Sequence, residues 1–161
     1  ITDYIVKIDQ KSLLPEEAQK LTNAIHTMND LERIGDHAEN IQSLTEIKVS
    51  EKIKFSESGY EEINTLSSEV EKGLAAVIEA MKTNDMELAQ KTIEYEGRVD
   101  ILEEQYKENH TNRLQAQKCS ARQGIIFIDL LANLEKMSDH AANIAGRLMR
   151  QEKKTNKDLL G

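Results

Sequence analysis

Chain breakers are almost missing from this sequence. One proline and seven glycines are spread over 161 residues, whereas a β-sandwich needs turn residues every few positions. The sparse breakers divide the chain into long stretches with helical spacing. Ile1, Tyr4, Ile5 and Ile8 read as the last turns of a helix that begins upstream, so the chain reads as a fragment. Pro15 suits a first helical position, with Glu16 and Glu17 at the positive helix end. A helix is predicted from about Pro15 to Lys48, with Leu21, Ile25, Met28, Leu31, Gly35, Ala38 and Ile41 as one buried stripe. Ser58-Gly59-Tyr60-Glu61 reads as a capping box opening the next helix, through Leu66, Val70, Leu74, Val77 and Met81. Asn84-Asp85-Met86-Glu87 starts a third, to about Leu114, and Ser120-Ala121-Arg122-Gln123 opens a fourth, to about Arg150. A Lys-rich tail after it is expected to fray. Long helices on short loops predict an all-α antiparallel bundle.

Composition excludes several roles. Hydrophobic residues at 39% and charged residues at 31% suit a globular chain. Aromatics are 4% and Trp is absent, which leaves no stacking platform for single-stranded nucleic acid. A net charge of −8 argues against binding a phosphate backbone. A single Cys allows no disulfide framework and fits a reducing compartment. The longest uncharged stretch, Gln123 to Asn133 apart from Asp129, is too short to span a bilayer.

An internal repeat carries most of the functional information. Leu31-Glu32-Arg33-Ile34-Gly35-Asp36-His37-Ala38-Glu39-Asn40-Ile41 returns 103 residues later as Leu134-Glu135-Lys136-Met137-Ser138-Asp139-His140-Ala141-Ala142-Asn143-Ile144. That offset exceeds a solenoid period and suggests two related helical units, the first lacking its opening helix. The expected boundaries are 1–56 for the remainder of the first unit, 57–152 for a complete three-helix unit, and 153–161 for the basic tail. Residues four apart share a helix face. Glu32, Asp36 and Asn40 therefore form one oxygen-bearing row, and Glu135, Asp139 and Asn143 its twin. Like charges so spaced repel by a few tenths of a kcal/mol on an exposed helix, and by more when buried. A row kept twice asks for a positive partner, and hard metal ions suit carboxylate oxygens.

Glu96-Gly97-Arg98-Val99-Asp100 adds a third Glu-x-x-x-Asp on the preceding helix, and Asp3 falls in a similar local context at the chain start. Set opposite each other, Asp100 and Asp139 would bring four carboxylates together. Arg33, Arg98 and Lys136 lie beside these acids, so ordinary surface ion pairs worth under about 1 kcal/mol compete with a metal site. His37 and His140 lie about 100° round the helix from the rows. They are open as supports for the ligands, as occasional ligands or as polar helix contacts, with the last favoured. Glu-x-x-His, His-Glu-x-x-His, phosphate loops and Gly-x-Ser-x-Gly are all absent. Cys119 reads as a plain free thiol.

The two Leu-Glu-[Arg/Lys]-x-x-Asp-His-Ala-x-Asn-Ile segments, with Glu96 to Asp100 between them, resemble the signature of the PhoU family. A second stretch is similar to the PhoU-like cytoplasmic domain at the C-terminus of bacterial sodium/phosphate cotransporters. It comprises His110-Thr111-Asn112-Arg113-Leu114, Cys119-Ser120, and Phe127 through Glu135. The resemblance implies tandem three-helix units, the first N-terminally truncated, and a non-enzymatic role in phosphate transport at the cytoplasmic face of a bacterial membrane. It implies metal ions, with iron foremost and zinc or nickel as alternatives. One site would use Asp3, Glu32 and Asp36, the other Glu96, Asp100, Glu135 and Asp139, with His37, Asn40, His140 and Asn143 behind them. Gly35 becoming Ser138 and Ile34 becoming Met137 depart from an exact repeat. The implied partner is a transmembrane transporter portion, with a homodimer open and no nucleic acid. A metal-free helical scaffold is the alternative, and a dimetal phosphoesterase the weaker one.

Overall fold

The computed structural model describes residues 14–158, with side chains as far as Glu152. Four helices follow one another: α1 (Pro15–Ser50), α2 (Glu57–Thr83), α3 (Met86–Gln115) and α4 (Ala121–Asp158). Their ends follow local chemistry. Glu17 accepts a hydrogen bond from the Leu14 amide ahead of Pro15. α2 begins two residues before the expected box, because Ser56 is the cap and its Oγ accepts from the Gly59 amide at 3.1 Å. Asn84 takes the left-handed conformation that ends α2, and Asp85 then caps α3 by accepting from Glu87 and Leu88. Ser120 and Gln123 exchange side-chain-to-backbone bonds at the start of α4. α4 continues as helix beyond Arg150 to Asp158.

α2, α3 and α4 pack mutually as an antiparallel three-helix bundle, and α1 lies along α4. The bundle interior has two clusters. Leu66, Val70, Val99, Tyr106, Phe127, Leu131 and Leu134 fill the half towards the 51–56 and 116–120 connections. Val77, Ala80, Ala89, Ala141, Ile144 and Ala145 fill the half towards the Asn84 turn. Each large side chain buried there contributes roughly 1.5–3 kcal/mol. The alanines let α2, α3 and α4 approach closely.

α1 corrects one expectation. Its predicted stripe is not buried, and none of its residues is. Leu31, Gly35 and Ala38 are exposed, while Ile34 and Ile41 are the side chains laid against the two cores. Leu21, Ile25, Met28 and Ile41 of the stripe are half-buried, so the spacing gave the helix and part of the covered side. But α1 has one principal helical neighbour rather than two, and its covered strip is narrower than expected.

Candidate functional site

Glu96 and Asp100 lie one turn apart on α3, flanking the fully buried Val99. Glu135 and Asp139 lie likewise on α4, flanking the buried Ser138. Val99 and Ser138 anchor the two helices in the interior, so the acids emerge along the α3–α4 seam. The electrostatics show the convergence. Partial burial holds the Glu96 carboxyl above the usual range, and the charges of Asp100, Asp139 and Glu135 push it the same way. Asp100 is also raised, first by desolvation and then by Asp139 and Glu103, with Lys136 opposing.

The neighbouring cations divide. Arg98 turns to α2, where its Nε donates to Glu69 at 2.8 Å, and its guanidinium stacks on Tyr95. Lys136 stays, with Nζ 3.1 Å from Glu135 and 3.4 Å from Asp139. Its ammonium is held above its ordinary pKa mainly by the bond to Glu135. Glu135, Asp139 and Asp100 thus share one ammonium, which partly supplies their counter-charge, while the neighbouring charges acting on Glu96 are all acids. Among the described residues, no three His, Cys, Asp or Glu side chains are gathered as a ready metal-holding group.

Glu32 and Asp36 are exposed on α1. A methyl group added at Gly35 between them would meet nothing within 4 Å. Asp3 lies outside the described residues. The histidines of both copies face the α1–α4 contact, where their rings stack with centroids 5.7 Å apart. His37 Nδ1 lies 2.9 Å from Asn133 Oδ1, and His140 Nδ1 donates to Asp30 Oδ1 at 2.7 Å. Asp30 and Asn133 are separated by the repeat offset (133 − 30 = 103, as 140 − 37 = 103), so the exchange is reciprocal. Asn40 leaves its row and donates to Asn133 at 3.3 Å. Asn143 is exposed on α4. Arg147 completes the contact on one side only, by pairing with Asp30.

Three participants escaped the sequence analysis. Glu103, buried and paired with Lys107, extends the α3 acid row; its spacing of three from Asp100 was the available sign. Asp30 and Asn133 would have emerged by extending the repeat one residue towards the N-terminus. Cys119 is a free, partly buried thiol.

The family profile of the PhoU domain matches residues 1–45 and 63–148. The chain belongs to the PhoU family. This PhoU domain is 28% identical over 116 residues to the phosphate-specific transport system accessory protein PhoU homolog 1 of Thermotoga maritima, covering 72% of the chain and 49% of that protein. It is 21% identical over 150 residues to the putative inorganic phosphate export protein YjbB of Salmonella typhimurium, covering 92% of the chain and 28% of that protein. The chain therefore spans about half of one relative and about a quarter of the other. PhoU from Pseudomonas aeruginosa superposes with a TM-score of 0.86 at 23% identity, over 95% of this chain and 73% of that one, which establishes the shared helical fold. No described helix is long and apolar enough to cross a membrane.

Proposed function

We propose that this PhoU domain is a non-catalytic regulator of phosphate movement across a membrane, acting from the cytoplasmic face on a transporter. Family membership supports the association with phosphate transport. The resemblance of 110–135 to the cytoplasmic domain of sodium/phosphate cotransporters favours attachment to a transporter. So does the match to one quarter of a putative phosphate export protein, the proportion expected of a domain within a larger transport protein.

The carboxylates of the α3–α4 seam are the regulatory element in this proposal, and their convergence is the observation that carries it. Their chemistry, though not yet their spacing, suits a metal ion. No three are gathered around one point, but oxygen ligands of like charge, partly desolvated, suit a hard cation such as ferric iron better than a soft one once drawn together. Glu96, Asp100, Glu135 and Asp139 would hold it, and Glu32, Asp36 and Asp3 would be the counterparts in the first unit. A bound metal would supply charge neutralisation that ties α3 to α4. Binding only to the folded form stabilises by linkage, so occupancy would set how firmly the seam closes towards a partner. Lys136 favours the alternative of a metal-free scaffold, because it already offsets part of the repulsion.

Elemental analysis of the untagged chain, beside a Glu96→Gln, Glu135→Gln variant, separates the two. The expected result is bound metal in the parent, lost from the variant together with the metal-induced rise in melting temperature. Equal metal content and equal melting behaviour would overturn the metal site and leave the scaffold. Phosphate uptake by cells carrying the full-length protein with Asp139→Asn tests the transporter role. An uptake rate that neither Asp139→Asn nor removal of the domain changes would reject it.

A further inference from the structure

A cavity of about 220 Å³ lies at the opposite end of the molecule's logic, where the 51–56 and 116–120 connections meet. Its wall contains His110 and Arg113 from the last turns of α3, Lys54 and Ser56 before α2, and Lys118 and Gln123 at the entry to α4. Phe55 and Phe127 form an apolar floor. None of the residues lining the cavity is an acid, although Glu57 follows Ser56 in the first turn of α2. The carboxylate against the inner wall, Glu62, is taken up by a two-pronged bond from Arg113, at 2.9 and 2.6 Å, and by Asn109 at 2.9 Å. Glu51 near the connection is held by Arg122. Lys54 and Lys118 are exposed at the cavity and have no ion-pair partner among the described residues. In a chain with a net charge of −8, the lining of this cavity is cationic.

His110 is the second, independent sign. It is 6% exposed and lies flat on the Phe127 ring, with centroids 5.1 Å apart. Neither of its ring nitrogens has a hydrogen-bond partner among the described residues. The ring is buried but its nitrogens are not sealed off, since no side-chain nitrogen or oxygen among the described residues is both buried and unpartnered. The space beside them is the cavity that His110 lines, where a bound group would find a donor. Its seat is specific, since any Cβ at Gly124 would stand 2.5 Å from His110 Nε2. The amino ends of α2 and α4 both border the cavity, and amino ends favour anions. The volume lies below the roughly 300–1,000 Å³ of pockets for drug-sized molecules, a scale that suits a small ion or the phosphoryl end of a short phosphomonoester.

We infer that this cavity binds a phosphate oxyanion, with Lys54 and Lys118 supplying charge, Ser56 a hydroxyl donor and His110 an imidazole N–H. It goes beyond the regulatory role proposed above, needing no metal on the carboxylate rows, and it gives the domain a means of sensing the transported species directly. Arg113 stays with Glu62 and acts as a positioning residue, holding His110 and Phe127 in place; its guanidinium carbon lies 5.1 Å from the Phe127 centroid.

Calorimetric titration of the chain with inorganic phosphate, and separately with glycerol 3-phosphate, tests the inference. It is followed by imidazole resonances of His110 in the parent protein. Saturable one-to-one binding is expected. A shift of the His110 resonances and about a tenfold weakening in Lys54→Gln, Lys118→Gln should accompany it. Both lysines are exposed, so the double variant should fold. The tighter of the two ligands identifies the source as free phosphate or a phosphorylated metabolite. Glu96→Gln, Glu135→Gln should bind phosphate as the parent does, which keeps a failed metal site distinct from a failed cavity. No saturable binding of either ligand, or binding that the lysine variant leaves intact, overturns the inference.

Discussion

The two copies of the repeated motif have nearly the same residues and opposite surroundings. Leu134 in the second copy is 7% exposed, and its counterpart Leu31 is 43% exposed. Ser138 is buried where Gly35 opens onto nothing. The acids of the second copy meet those of α3, and those of the first face no described helix. A motif therefore does not carry its own burial or chemistry. Both copies give a helix with one acidic row and one histidine, and the neighbouring helices decide whether that row becomes a cluster. Only the His37–His140 contact is shared, because each copy there serves as the neighbour of the other.

The sharpest way to break this comparison is to delete matched side chains. Leu134→Ala empties a core position in the larger cluster, and an expected loss of about 2–4 kcal/mol follows from transfer and cavity terms. Leu31→Ala removes a half-exposed side chain and should cost under about 1 kcal/mol. Chemical denaturation with matched slopes checks both. Equal losses would mean that α1 has a covered face equivalent to that of α4.

The reciprocal hydrogen bonds come next. Asp30 serves both His140 and Arg147, so Asp30→Ala leaves the His140 donor without its acceptor and Arg147 with only its longer bonds, at 3.4 Å, to Thr27 and the His26 carbonyl. It should cost about 2–3 kcal/mol. Asn133→Ala, at the matching position, removes neutral partners of His37 and Asn40 and should cost about 1 kcal/mol. A double-mutant cycle between Asp30→Ala and His140→Ala should show coupling, since the two are in contact. Additive losses would show that the stacked histidines hold α1 by ring packing alone.

How much of this was legible in advance follows from which physics is local. Helix positions, the Asn84-Asp85 turn and the Ser120 start depend on caps and breakers a few residues apart, and the structure matches them closely. Ser56 was missed as a cap because Ser58 with Glu61 offered an equally good local pattern. The α3–α4 seam was legible, because Glu96, Asp100, Glu135 and Asp139 sit at matched spacing on consecutive antiparallel helices. The covered width of α1 was only partly legible. Leu21, Ile25, Met28 and Ile41 of the stripe are half-buried, but Leu31, Gly35 and Ala38 share their periodicity and stay exposed, while Ile34 beside the stripe packs on the core. The Arg113–Glu62 pair under the cavity joins positions 51 residues apart, a relation that no helical period encodes.

Protonation distinguishes the cluster from the cavity and gives a medium effect. Burial, and secondarily Arg113, lowers the His110 pKa from 6.5, with Glu62 opposing. The unfolded chain then takes up a proton before the folded one does. This contribution to stability is fully present above about 6.5 and is lost as pH falls from there through the lowered folded value. Replacing His110 by Gln should flatten that part of a stability–pH curve measured by denaturation. An unchanged curve would show that His110 titrates alike in both states.

The smallest effect has the opposite sign and bears most directly on the two rows. The Glu96 and Asp100 carboxyls are raised in the folded protein. Their folded forms accept protons first on acidification, so the metal-free chain gains stability as pH falls through the raised values towards the ordinary carboxylate range. That gain opposes the His110 loss within the same acidic region, and a variant is needed to separate them. Glu96→Gln removes one of four crowded charges and should stabilise the metal-free chain at neutral pH by a few tenths of a kcal/mol. Glu32→Gln, on the exposed first row, should fall within the scatter expected of a surface substitution. Melting curves in chelator, with and without Lys136→Gln, sharpen the contrast. If Lys136 is the seam's counter-charge, removing it should enlarge the benefit of Glu96→Gln. A benefit of equal size at Glu32 would mean that overall negative charge, rather than the convergence of two helices, sets the repulsion.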